Sequence, residues 1–127
     1  MTKRLTKMVD GCYTRMLRMA LGVNQWRDRV SNQVLYNGLP KVTSKIAQRR
    51  LRLAGHAQRH PELTLHKLVL WEPQHGHANR ERPHLTFLDN LMEDTGLKSV
   101  DEIARLMEDR ELWKTVIKNA RVLYASP

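Results

Sequence analysis

The stretch from Thr43 to His60, TSKIAQRRLRLAGHAQRH, constrains this chain more than any other. A hydroxyl at Thr43 or Ser44 can accept a bond from an orphan N–H of a first helical turn. Pro61 disfavours helical geometry in the residue before it, which ends the helix near His60. At 100° per residue two faces separate. Ile46, Leu53 and Ala57 fall together, and Ala54, Ala47 and Leu51 widen that apolar face. On the other side Lys45, Arg49, Arg52, His56 and Arg59 form a stripe with one member per turn, about 20 Å long at 1.5 Å rise per residue. Arg50 projects into the apolar arc, so it has to be paired or reach the rim. Two readings of the stripe stand at this point. One is a rod that tracks a phosphate backbone; the other is an ordinary solvated helix face.

The charge of the whole chain bears on that choice. The net charge is +9 and it is unevenly spread. Residues 1–84 hold 16 Lys and Arg against 5 Asp and Glu, whereas residues 85–127 hold 6 against 8. A basic body, 1–84, followed by a mildly acidic tail, 85–127, points to a polyanion as the body's partner. All six histidines lie between His56 and His84 and would add positive charge in mild acid. With 127 residues and 41% apolar composition the expectation is a single domain, 1–127, with one core. A single cysteine, Cys12, excludes an internal disulfide and fits a reducing compartment. No apolar run approaches the ~20 residues of a membrane helix, and the N-terminus has no apolar signal core. The expected location is intracellular, in nucleus or cytoplasm, with no membrane partner.

Periodicity makes the rest helical. Leu5, Val9, Cys12, Met16 and Ala20, with Met8, Tyr13 and Leu17 alongside, predict an amphipathic helix from Lys3 to Leu21, stopped by Gly22. Cys12 on that face reads as a packed thiol. Ser31 caps a short helix that ends at Asn37-Gly38, and this segment is expected to fold back over the first helix. The run from Leu63 to Trp71 is helical or extended. Residues 74–84, QHGHANRERPH, form one long, flexible basic loop. Beyond it, Thr86 to Thr95 is a helix stopped by Gly96, and Ser99 with Glu102 opens another as a capping-box pair. Asp109 caps the last helix, whose buried stripe is Leu112, Trp113, Val116, Ile117, Ala120 and Leu123. The expected class is all-α, with five or six short helices.

Sites for chemistry are sparse. His56 and His60 are four apart, and His66, His75, His77 or His84 could join them, but neither a zinc-protease pattern nor a CxxC pair accompanies them. No metal or other cofactor is expected. Two-metal nucleases and polymerases need clustered carboxylates. Asp10, Asp28, Glu62, Glu72 and Glu81 are isolated, and Glu93-Asp94 and Glu108-Asp109 read as helix ends. No enzyme is expected. Binding is what remains, with Lys45, Arg49, Arg52, His56 and Arg59 as nucleic-acid contacts. Lys41, Arg80 and Arg82 extend the patch if the loop folds beside the helix. Trp26, Trp71 and Trp113 are either base-stacking platforms or core, and their apolar contexts favour core.

Several segments, taken in order, also resemble a known family. They are Leu5-Thr6-Lys7, the run from Asp10 to Arg18, Trp26-Arg27-Asp28, Leu35-Tyr36 with Leu39-Pro40, and Arg49 to His56 with Arg59-His60-Pro61. Leu70-Trp71-Glu72-Pro73, His75-Gly76, Arg80 to Pro83, Asp94-Thr95-Gly96 and Met107 to Trp113 complete the series. The order resembles the C-terminal part of the reverse transcriptase of non-LTR (LINE-like) retrotransposons, from the end of the thumb onward. It departs from the family at Glu81, where a Gly is usual, and at His77, where Arg is common. The family's palm, with its paired metal-binding aspartates, has no counterpart here. The resemblance implies a non-catalytic appendage of an RNA-directed DNA polymerase that grips template RNA or target DNA. It also implies upstream reverse-transcriptase domains as partners. Exposed apolar surface on the first helix would favour self-association. The competing expectation is a protein-interaction or scaffold module whose positive face is incidental.

Overall fold

A computed structural model describes residues 3–72 and 86–123, with side chains as far as Ala120. The chain is all-α. The helices are α1 (Lys3–Ala20), α2 (Gln25–Asp28), α3 (Asn32–Tyr36), α4 (Val42–Gln58), α5 (Thr64–Val69), α6 (Phe87–Thr95), α7 (Val100–Glu108) and α8 (Arg110–Leu123), and no strand occurs among the described residues. The count exceeds the expected five or six because the four-residue α2 is too short to leave a periodic signature and the six-residue α5 falls in the run that could be helical or extended. The loop 74–84 lies outside the described residues.

Helix α4 is the hub, in contact with α1, α5, α6, α7 and α8. Its buried face includes Ala47, Leu51, Ala54 and Ala57 of the expected apolar arc but is rotated away from Ile46 and Leu53. Thr43, Ser44, Ala47, Leu51, Ala54, Gly55 and Ala57 are buried, whereas Ile46 is exposed and Leu53 is 48% exposed. Small side chains make this face, and they let α8 come close. A Cβ built on Gly55 would collide with the indole of Trp113. The same indole donates its Nε1–H to the Leu51 carbonyl at 2.8 Å, which satisfies a polar atom that would be costly to bury alone. Around this seam, Leu51, Ala54, Ala57, Val69, Leu91, Ile103, Met107, Trp113, Ile117 and Ala120 form the core. Leu112, expected in the buried stripe of α8, is half exposed; Leu123 lies beyond the described side chains.

Most termini obey local chemistry. Thr86 and Asp89 form a reciprocal capping box at α6, and Gly96 ends that helix with φ 72°. Ser99 accepts from Glu102 N–H at α7. Asp109 Oδ1 accepts from the N–H groups of Glu111 and Leu112 at α8. The start of α4 differs from expectation. Its N-cap is Lys41, which makes no side-chain cap bond, and Thr43 and Ser44 lie inside the helix. Asp10 of α1 supplies the missing acceptor. Its carboxylate receives the Thr43 N–H at 3.3 Å and the Thr43 hydroxyl at 2.8 Å. A negative group at a helix N-terminus also suits the helix dipole. Asp10 is therefore not isolated: it pins α1 to α4.

Segment 23–40 folds back on α1, as expected. The Thr14 hydroxyl donates to the Asp10 carbonyl and so accepts from the Tyr36 phenol at 2.8 Å. Arg18 Nη2 donates to the Val30 carbonyl and to Asn32 Oδ1. No residue of α1 is buried, however. Val9, Tyr13 and Leu17 are half-buried, while Leu5, Met8, Cys12, Met16 and Met19 face solvent. Cys12 is thus exposed rather than packed, because the apolar arc of α1 is wider than the surface it meets.

A basic face on α4

The residues opposite the buried face of α4 stay in solvent. Lys45, Arg49, Arg52 and His56 are exposed, and α4 contains no acidic residue. Among the described residues no carboxylate lies within ion-pairing distance of Lys45, Arg49 or Arg52. These side chains sit one helical turn apart, about 5 Å, a spacing comparable to that of phosphates along a strand. Ile46 and Leu53 border the stripe on one side.

Two arginines, Arg50 within α4 and Arg59 at its C-cap, make bonds inside the fold. Arg59 is half-buried and donates Nη1–H to the Met107 carbonyl at 2.8 Å. A cation there closes the C-terminal end of α7 and complements its dipole. Arg59, expected in the phosphate-facing row, thus has one guanidinium nitrogen engaged within the fold. Arg50 is the residue that had to be paired. Its Nε meets Asp94 Oδ2 at 2.6 Å and its Nη2 meets Oδ1 at 3.0 Å, a two-pronged pair. Asp94 is fully buried, so it is not an exposed helix-end acid as the sequence suggests. Burial makes this pair expensive to break.

The remaining candidates divide. Lys41 is half-buried at the N-cap of α4, in line with the stripe's N-terminal end. Arg80 and Arg82, with His75, His77 and His84, lie outside the described residues. The rings of His56 and His60 meet at a tilt with centroids 4.4 Å apart, and His60 Nδ1 lies 2.8 Å from Glu62 Oε1. A backbone N–H and then the His60 ring hold the Glu62 carboxyl below the usual carboxylate range. His66 Nδ1 faces the Ala57 carbonyl at 3.2 Å, so it closes the end of α4. Among the described residues no group of three or more His, Cys, Asp or Glu is arranged to hold a metal ion.

The tryptophans separate sharply. Trp113 is core, as expected, but Trp26 is 90% exposed and Trp71 is 54% exposed. Trp26 sits on α2, the turn set by Asn24. The Asn24 side chain accepts from Trp26 N–H and Arg27 N–H, and its own N–H donates to Asp28 Oδ2 at 2.7 Å. Arg27 bonds the same carboxylate. The Arg27 guanidinium, followed by the Asn24 N–H, holds the Asp28 carboxyl below its ordinary value. Sequence reasoning missed how firmly this turn is held, and the Asn24–Asp28 spacing was the available signal.

No helix among the described residues is long and apolar enough to cross a membrane. No protein-family model, no curated protein sequence and no solved structure matches this chain.

Proposed function

We propose that this chain is a non-catalytic, nucleic-acid-binding helical module that grips RNA or DNA through the outward face of α4. The observation that carries the reading is the row Lys45, Arg49, Arg52 and His56, exposed on a helix without a single acid. The excess positive charge of residues 1–84 supports it, since electrostatic attraction to phosphate is long-ranged and additive. The resemblance to the C-terminal part of a LINE-like reverse transcriptase supports it further and adds upstream polymerase domains as partners. That role needs neither metal nor cofactor and belongs inside the cell, in nucleus or cytoplasm.

The test is affinity for a generic RNA at several salt concentrations. Each phosphate contact contributes roughly 0.7–0.9 to the log–log salt slope. The triple variant Lys45→Gln, Arg49→Gln, Arg52→Gln should weaken binding and flatten the slope by about 2. Arg59 is left intact, because its bond to Met107 is structural. An unchanged slope in the folded variant would hand the lead to the second reading, a protein-interaction module. That reading draws on the exposed row Leu5, Met8, Cys12, Met16 and Met19 of α1.

A further inference from the structure

Among the described residues the most exposed large apolar side chain is Trp26, at 90%. Tryptophan seldom stands that far out, because its indole carries a large apolar area. Its surroundings do not look like the apolar rim of a protein hot spot. Asn24, Gln25, Arg27, Asp28 and Arg29 are all exposed and polar. The turn beneath it is held by the Asn24 and Asp28 bonds, so little conformational freedom remains to be lost when a planar ligand docks. An exposed indole on a firmly held turn, amid polar neighbours, offers the kind of flat π-surface on which a nucleic-acid base stacks.

We propose that Trp26 is a stacking platform for an unpaired base of single-stranded nucleic acid. This rests on the nucleic-acid reading of the α4 face but assigns a different contact, and it specifies strandedness. In a duplex the faces of the bases are already stacked on one another, so an indole gains nothing there. The α4 stripe, in contrast, meets phosphate in either form.

The experiment compares wild type with Trp26→Ala and Trp26→Phe. The probes are an oligothymidylate of about 16 nucleotides and a duplex of the same length, each at several salt concentrations. Trp26→Ala should bind the single strand about 10-fold more weakly, with the salt slope unchanged, because stacking displaces no counterions. Duplex affinity should stay at the wild-type value. Trp26→Phe should recover most of the loss, since it keeps a π-face. The proposal is overturned if Trp26→Ala binds the single strand as wild type does, or if it loses single strand and duplex equally. It is overturned as well if Trp26→Ala instead abolishes self-association, which would make the indole a protein contact. Wild type that binds neither probe removes the function itself. Wild type that binds both, with only the stripe variant impaired, removes this inference alone.

Discussion

Residues 3–41 and the helices α4 to α8 hold together by different means. The first region buries one apolar residue, Leu35, and is fastened by named polar bonds: Asp10 to Thr43, Tyr36 to Thr14, Arg18 to Val30 and Asn32. The second shares a core of ten buried residues. Burial contributes in proportion to area, about 25 cal/mol per Å², whereas a hydrogen bond nets only about 0.5–1.5 kcal/mol. The N-terminal helices are therefore held in register but weakly, and the C-terminal helices strongly.

The sharpest way to break the second region is to remove one side of its buried ion pair. Arg50→Met takes the two-pronged guanidinium away from the buried Asp94 and should cost about 3–5 kcal/mol in a urea titration. Arg52→Met, two residues on but in solvent, should change stability by no more than about 0.5 kcal/mol. Equal losses for the two would refute the burial argument. Next comes the apolar seam. Leu51→Ala should cost about 2–5 kcal/mol by cavity formation, and the half-exposed Leu53→Ala much less.

For the first region the expected effects are smaller. Asp10→Ala removes the acceptor at the start of α4 and should cost about 1 kcal/mol. Its amide hydrogen-exchange protection should fall in α1 more than in α8. Uniform loss across both would mean that the chain opens as one unit.

The capping box of α6 gives a pH test. The Thr86 N–H and then its hydroxyl hold the Asp89 carboxyl below its ordinary value. A carboxyl with a lowered folded value contributes stability that is present above the unfolded value and lost as pH falls through the folded one. Asp89→Asn should therefore flatten the acid limb of the stability–pH curve in that window. Smallest of all is Ser44→Ala. The Ser44 hydroxyl is buried without a partner, so the change should be neutral or raise stability by up to about 1 kcal/mol.

What could be read from the sequence follows the same divide. The stripe Lys45, Arg49, Arg52 and His56 was legible because long charged side chains at helical spacing have few places to go but water. The buried face of α4 was legible only in part, because periodicity weighs bulk. Ala47, Leu51, Ala54 and Ala57 were placed on it, but Ile46 and Leu53 drew the arc toward themselves and Gly55 went unnoticed. Arg50 announced that it needed a partner, but nothing local named Asp94, 44 residues away. Gly22, Gly96, Ser31 and Asp109 were readable as stops and caps because their bonds are made within a few residues. Trp26 was misread as core because its neighbours in sequence were taken for its neighbours in space.

The partners of α4 also have a consequence in time. Leu51 meets Trp113 across 62 residues, Arg59 meets Met107 across 48, and Arg50 meets Asp94 across 44. At translation rates of 5–20 residues per second, α4 would wait roughly 3–12 s for the indole that closes on it. Through that interval its small-residue face has no lid and its basic row is already displayed.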